Sequence, residues 1–286
     1  MPQSRTPCPI VDSNGVIFAV LAGRPDDPTY VEACNSMYES MKKESTAAGI
    51  KHKAKKDHRC GLFAACSYGL SYGKGQPMPL MLNVGDVCVK FIQWLVDLPS
   101  VRRIATYASN AFSLWSPRLF RYYEDRLNPL HAHLGTTRPF PHSIFPCATF
   151  NFGGNVWTYK HKDIMNCPFG WCAIVALGRF NPSLGTHLIL WELKMVIKFP
   201  HAATVFIPSA TITHSNTVSA PGDERVSFTQ FCARGLLRWV DYGFRTEKEL
   251  YEQDYEAYQR IQAGKDTRWE QGLALYSTVE ELLCMV

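Results

Sequence analysis

Tyr159-Lys160-His161-Lys162-Asp163-Ile164-Met165-Asn166 sets an imidazole and a carboxylate two residues apart. Farther on, Ala203-Thr204-Val205-Phe206-Ile207-Pro208-Ser209-Ala210-Thr211-Ile212-Thr213 is a strongly apolar run that ends in a second imidazole, His214. Side chains of an extended chain alternate with a period of two, so His161 and Asp163 leave the same side of a strand end. Pro208 breaks the apolar run, which places His214 at the lip of the core as the third donor. Two imidazoles and a carboxylate are the donors of a facial triad, the set that holds a non-haem Fe(II) and leaves three positions open. His131, His133, His142, His187 and His201 are also present, but none has a carboxylate two residues on within a β-type run.

Arg225-Val226-Ser227 follows His214 after a turn signal at Pro221-Gly222-Asp223. A hairpin there is expected to return Arg225 to the side of the His214 strand. A guanidinium fork pairs with a carboxylate through two parallel hydrogen bonds, and Ser227, two residues on, adds a third donor on the same face. The bland alternative is a cross-strand pair of Arg225 with Asp223 or Glu224. A buried guanidinium needs a fixed anionic partner, which favours the ligand role.

Around these residues the chain reads as β. Short β-type runs are expected at 145–152, 155–159, 172–177, 186–191, 195–199, 203–207, 210–215 and 226–232, separated by Gly, Pro, Asn and Asp turns. Eight short strands at that spacing indicate a sandwich or jelly roll rather than a parallel sheet. Upstream, Gly15 to Ala22 reads as a buried strand. Asp27-Pro28 starts a helix with Val31, Cys34, Met37, Tyr38 and Met41 on one face, ending near Thr46. Asp86 is expected to cap a helix to about Leu98, and a further helical region runs from Pro99 to about Leu130, broken at Pro117. Residues 1–14 read as loose, and 61–83 as a glycine-punctuated loop that turns sharply or approaches something closely at 71–77. Thr246-x-x-Glu249 is a capping box that opens a helix over 246–262, with a short terminal helix near 278–284. The fold class is therefore α+β with a mainly β core, in one domain: a helical and glycine-loop half over 1–135, a β core over 136–245, and C-terminal helices over 246–286.

Composition bounds the function. The 286 residues carry a formal net charge of +5 and 46% apolar side chains, the profile of a folded globular protein. No apolar run reaches a membrane span and no h-region follows the first residues, so a nuclear or cytosolic protein is expected. Ten cysteines lack any C-x-x-C pair, which favours buried reduced thiols. A structural metal on His58, Cys60 and Cys66 is the lesser reading. Basic groups concentrate in Lys51-His52-Lys53-Ala54-Lys55-Lys56-Asp57-His58-Arg59, a run that can follow a phosphate backbone or simply face solvent.

With these residues in place, the chain resembles the double-stranded β-helix Fe(II)/2-oxoglutarate dioxygenases, and within them the TET/JBP-type methylcytosine dioxygenases. His161-x-Asp163-x-x-Asn166, the distal His214, Arg225-x-Ser227 and the aromatic Phe231 six residues after Arg225 carry the resemblance. The Ser71–Pro79 segment is similar to the loop that precedes the core in fungal members. The resemblance implies Fe(II) on His161, Asp163 and His214, 2-oxoglutarate on Arg225 and Ser227, and O2 as oxidant. It implies double-stranded DNA with methylated bases as partner, and a monomer acting in the nucleus. A flipped 5-methylcytosine would meet Asn166 at its polar edge and Phe231 at its face, and would be oxidised to the 5-hydroxymethyl, 5-formyl and 5-carboxyl forms. Lys53, Lys55, Lys56 and Lys74 then flank DNA. One departure stands out: the family's His two residues after the aromatic is Ala233 here. That change predicts a roomier pocket and makes N6-methyladenine demethylation an additional activity. Two rival classes remain: a non-catalytic β-sandwich that binds DNA, and an oxygenase acting on protein or small molecules.

Overall fold

In the computed structural model, residues 6–47, 60–73, 75–82 and 85–284 are described. The basic run with Lys53, Lys55 and Lys56, and also His58, Lys74 and Asn83, lie outside the described residues.

Eleven strands among those residues form two antiparallel sheets. In chain order they are β1 (Cys8–Val11), β2 (Ile17–Gly23), β3 (Ala64–Ser71), β4 (Leu80–Met81), β5 (Cys147–Phe152), β6 (Cys172–Arg179), β7 (Leu188–Leu190), β8 (Met195–Ile197), β9 (Thr204–Ile207), β10 (His214–Asn216) and β11 (Glu224–Phe231). The large sheet runs β1-β2-β9-β6-β11-β5-β3-β4 and the small one β10-β7-β8. Side chains from both sheets, among them Ala176, Val205, Leu188, Leu190 and Ile197, share one apolar cluster, so the sheets close on each other as in a jelly roll.

The middle of the large sheet shows why one face is core and the other is a site. Ala64 and Cys66 on β3, Ala148, Phe150 and Phe152 on β5, Val175 and Leu177 on β6, and Val226 and Phe228 on β11 point backward into an apolar layer. That layer is completed by helices α1 (Pro28–Ala47), α2 (Asp86–Asp97) and α3 (Pro99–Trp115). Each fully buried Val, Leu or Phe among them contributes about 1.5–3 kcal/mol. The alternate residues point forward and are largely polar. The register sets Ala65, Asn151, Ser227 and Ala176 on one rung, and Ser67, Thr149, Thr229 and Ile174 on the next. A sheet with an apolar back and a polar, enclosed front has built a cavity rather than a second core.

The helices start and stop where local chemistry requires. The Asp27 carboxylate accepts the Thr29 N–H at 2.9 Å and the Thr29 hydroxyl at 2.7 Å, capping α1. Its buried face is Tyr30, Cys34, Met37, Tyr38 and Met41. Pro117 separates α3 from α4 (Pro117–Leu134), which ends at Gly135 in the left-handed conformation. Five more helices follow: α5 (Arg234–Asp241), α6 (Glu247–Gln253), α7 (Tyr255–Ala263), α8 (Arg268–Leu273) and α9 (Val279–Leu283). The capping box at Thr246 and Glu249 is present, and Thr278 with Glu281 forms a second one.

Four expectations are corrected. Residues 8–11, expected loose, pair with β2 as an edge strand. The glycine-punctuated segment contains β3, which pairs with β5 over six residues. Residues 155–159 make no strand; Asn155 bridges only to Arg225. Gly85, not Asp86, occupies the cap position of α2, leaving Asp86 as the acid of the first turn.

Candidate metal centre and the cavity around it

His161 and His214 are brought together by the backbone. The His161 N–H donates to the His214 carbonyl at 3.0 Å, and the His214 N–H donates back at 2.9 Å. Their ring centroids lie 4.3 Å apart. Neither the hairpin nor the extended strand expected from sequence does this. His161 sits on an isolated bridge, and β10 pairs with β7 in the small sheet. Asp163 is pinned by its N–H to the Ser209 carbonyl at 2.8 Å.

Both imidazoles have their protons assigned by their surroundings. His161 Nδ1 lies 2.7 Å from the Tyr159 carbonyl, and His214 Nδ1 lies 3.0 Å from the Ile212 carbonyl. A carbonyl only accepts, so each Nδ1 carries the hydrogen and each Nε2 presents its lone pair. Those lone pairs face one carboxylate. His161 Nε2 is 3.8 Å from Asp163 Oδ1, and His214 Nε2 is 3.8 Å from Asp163 Oδ2. Burial pushes the His214 imidazole below its ordinary range, and the neighbouring His161 adds to this. At His161 burial also pushes down, but the Cys60 side chain, the Tyr159 carbonyl and Asp163 outweigh it and the net direction is up. Two oriented nitrogen donors around a carboxylate fit a divalent transition metal, with the backbone carbonyls engaging each Nδ1 and leaving each Nε2 for the ion.

Across the cavity stands Arg225, 1% exposed. Its Nη1 donates to the Val156 carbonyl at 2.6 Å, and its guanidinium lies 5.7 Å from the Phe199 ring. Its Nε has no partner, and it forms no ion pair among the described residues. Burial pulls its pKa down to about 10. An enclosed guanidinium that lines a cavity and pairs with no carboxylate among the described residues is a site for an anion. Arg225 reaches this place through β11, which lies between β6 and β5, and not through a hairpin with the His214 strand. Gly178 pairs opposite it with φ of 130°; a Cβ there would overlap the Glu224 carbonyl oxygen.

The cavity that joins these groups has a volume of about 370 Å³. His161, Asp163, His214, Arg225, Ser227, Asn166 and Phe231 all line it. Asn166 also donates from Nδ2 to the Ser209 hydroxyl at 3.1 Å. Ala233 is not on the wall. It is buried in the aromatic cluster with Tyr72 and Trp239, and meets Asn166 only through a backbone bridge. The chain leaves the β11 ladder at Phe231, so the alternation that would have aimed residue 233 at the cavity no longer applies. The glycine loop turns at Gly73, φ 146°, where a Cβ would meet only the end of the Met165 side chain, at an ordinary contact distance of 3.4 Å.

Sequence reasoning missed Asn151, and considered Cys60 only beside His58 and Cys66. Asn151 lines the cavity and donates to the Ser227 hydroxyl at 2.9 Å. Its signal was present: Cys147-Ala148-Thr149-Phe150-Asn151-Phe152 carries polar residues at every second place in a buried strand. Asn155, at the bridge to Arg225, is exposed, and the Tyr159 carbonyl is engaged by His161. Cys60 lines the cavity, whereas Cys66 points into the core behind the sheet. None of the ten cysteines is in a disulfide.

No protein family description and no curated protein matches this sequence. Solved structures do. NgTET1 in complex with 5mC DNA superposes with a TM-score of 0.55 at 14% identity, covering 81% of this chain and 78% of that one. A Pseudomonas putida prolyl-4-hydroxylase gives 0.36 at 12% identity, covering 72% and 88%. An oxidoreductase of the 2OG-Fe(II) oxygenase family from Burkholderia pseudomallei gives 0.35 at 14% identity, covering 67% and 81%. The first establishes the fold as that jelly roll; the other two are too distant to add to it.

Proposed function

We propose that this chain is an Fe(II)- and 2-oxoglutarate-dependent dioxygenase that oxidises methylated bases in DNA, 5-methylcytosine first among them. The observation that carries the oxygenase reading is the pairing, in one cavity, of three oriented metal donors with a buried guanidinium that has no carboxylate partner among the described residues. His161, Asp163 and His214 would hold the iron. Arg225, with Ser227 beside it, would clamp the distal carboxylate of 2-oxoglutarate, and Asn151 holds the Ser227 hydroxyl in place. The bound iron supplies activation of O2 at the open coordination positions. The protein's task is then positioning. It aims the Nε2 of both imidazoles at the metal, shields Arg225 from water, and leaves a wall of Asn166 and Phe231 for the substrate.

DNA as substrate draws support from the NgTET1 structure, which holds 5mC DNA. A base inside the stack cannot reach an enclosed metal, so the reading requires flipping, with Phe231 as stacking surface and Asn166 as polar reader. A second cavity, about 390 Å³, lies beyond the 165–169 segment and is lined by Arg234, Arg238, Lys265 and Arg268 with Trp269. The Arg234 N–H donates to the Met165 carbonyl at 2.9 Å, which ties this basic surface to the site. It is a candidate for phosphate contacts in the nucleus. Ala233 does not line the cavity, so it gives N6-methyladenine demethylation no support, and 5-methylcytosine is the substrate this reading takes first.

The test is 2-oxoglutarate turnover with and without methylated duplex DNA, for wild type and His161→Ala, with mass spectrometry of the nucleosides. DNA-stimulated turnover with oxidised cytosines, lost in the variant, is expected. Turnover unaffected by DNA would assign a protein or small-molecule substrate. DNA binding with no turnover would assign a binding module.

A further inference from the structure

The thiol of Cys60 stands beside the metal donors. Among the described residues, Cys60, His161 and Asp163 form one group whose ligand atoms all lie within 4.8 Å of one another. Ligands of one ion, at about 2.0–2.3 Å from it, sit within roughly 3–4.5 Å of each other, so small side-chain rotations suffice for these three; His214, outside that group, approaches through its 3.8 Å contact with Asp163. Cys60 is half-buried and lines the same cavity as His214 and Arg225. Its place is built by the backbone. The Tyr159 N–H donates to the Cys60 carbonyl at 2.9 Å, which ties it to the segment carrying His161. The next residue, Gly61, has φ of 149°, and a Cβ there would lie 2.6 Å from the Phe63 ring and 2.8 Å from the Trp157 carbonyl oxygen. Only glycine lets the chain pass this close, and the close pass keeps Cys60 beside the segment that carries His161.

We propose that Cys60 is a fourth protein ligand to the metal held by His161, Asp163 and His214. The inference rests on the metal-centre reading above. On binding, the S–H bond breaks, the proton passes to buffer, and the sulfur lone pair makes the bond to the metal. The donor set becomes two imidazole nitrogens, a carboxylate oxygen and a thiolate. A soft thiolate favours zinc and cobalt over hard cations, and four such donors complete a tetrahedral zinc site. In the iron form the thiolate takes one of the three positions the triad leaves, so it must yield when a bidentate co-substrate and O2 all bind. Cys60 is therefore a resting-state ligand, one that closes the centre until co-substrate displaces it.

The full chain loaded with zinc, in the absence of 2-oxoglutarate, is measured by X-ray absorption. One sulfur at about 2.3 Å beside nitrogen and oxygen at about 2.0–2.2 Å is expected. The cobalt-loaded protein is expected to show a thiolate-to-metal charge-transfer band in the near ultraviolet. Both signatures should vanish in Cys60→Ser, whose fold is checked by thermal denaturation. The wild-type measurement decides even if that variant fails to fold. A bound metal with nitrogen and oxygen neighbours only would overturn the proposal and leave the triad standing. Failure to bind either metal would overturn the proposal together with the triad.

Discussion

Replacing Arg225 with methionine separates a co-substrate clamp from a structural ion pair. The guanidinium is 1% exposed, makes one hydrogen bond, to the Val156 carbonyl, and has an unpartnered Nε. Burying a charge without a counter-ion costs several kcal/mol, a cost the folded chain carries until an anion arrives. Hydrogen bonds to charged groups contribute about 1.5–3 kcal/mol each, and a bidentate carboxylate takes two. Arg225→Met should thus weaken 2-oxoglutarate binding by about 3–5 kcal/mol, or roughly two hundred- to several-thousand-fold. The ligand-free protein should behave in the opposite sense. Methionine fills similar volume without the charge, so unfolding stability should be unchanged or raised by about 1–2 kcal/mol. Calorimetric titration of the metal-loaded protein measures the first quantity, and denaturant unfolding without ligand the second. The reasoning is refuted if affinity falls less than tenfold, or if the ligand-free variant loses about 3 kcal/mol or more. The latter would mean the guanidinium already has its anion within the fold.

Three further outcomes are expected. His201 accepts the Gly178 N–H on Nδ1 at 3.0 Å, and burial, helped by Arg24, holds its pKa down at about 4. Its unfolded value is near 6.5, so the unfolded state takes up the proton first. Stability is full above about pH 6.5 and is lost as pH falls toward 4, by about 3 kcal/mol at most. Denaturant unfolding across that range should show the loss, and His201→Asn, which keeps an acceptor without titrating there, should flatten it; parallel curves would rule this out. Gly178→Ala forces a Cβ into the Glu224 carbonyl from a left-handed φ, and should cost about 2–4 kcal/mol in thermal or denaturant unfolding. A stability within roughly 0.5 kcal/mol of wild type, the scatter of neutral surface changes, would show that the sheet accommodates it. Arg234→Gln with Arg238→Gln should weaken duplex DNA binding and make its salt dependence shallower by about 0.9 for each phosphate no longer neutralised, read from titrations at several salt concentrations. An unchanged slope would move the DNA path elsewhere.

Local chemistry made much of this protein legible from its residues. The α1 face of Cys34, Met37, Tyr38 and Met41, the proline break at 117 and the Thr246 capping box depend on neighbours three or four places away, and the fold realises them, with Val31, expected on the same face, only half-buried. Residues 61–71 misled because glycines and small side chains read as loop. Their strand character comes from pairing with β5, about eighty positions downstream, which no local window contains. Ala233 misled for a related reason. A count of two from Phe231 assumes the strand continues, and the chain turns into α5 instead. Asn151 was readable in principle, since polar side chains at alternate positions of a buried strand mark an enclosed polar face.

The sequence alone determined which chemical groups are available: the imidazoles and carboxylate at 161, 163 and 214, the guanidinium at 225, and the period-two pattern that separates core face from cavity face. It determined them because side-chain identity and alternation are local properties. Tertiary structure decided how those groups meet. The reciprocal backbone bonds between His161 and His214, the seat of β11 between β5 and β6, and the approach of Cys60 to His161 join segments dozens of residues apart. Such pairings follow from closing two sheets over one core, and that closure is a property of the whole chain.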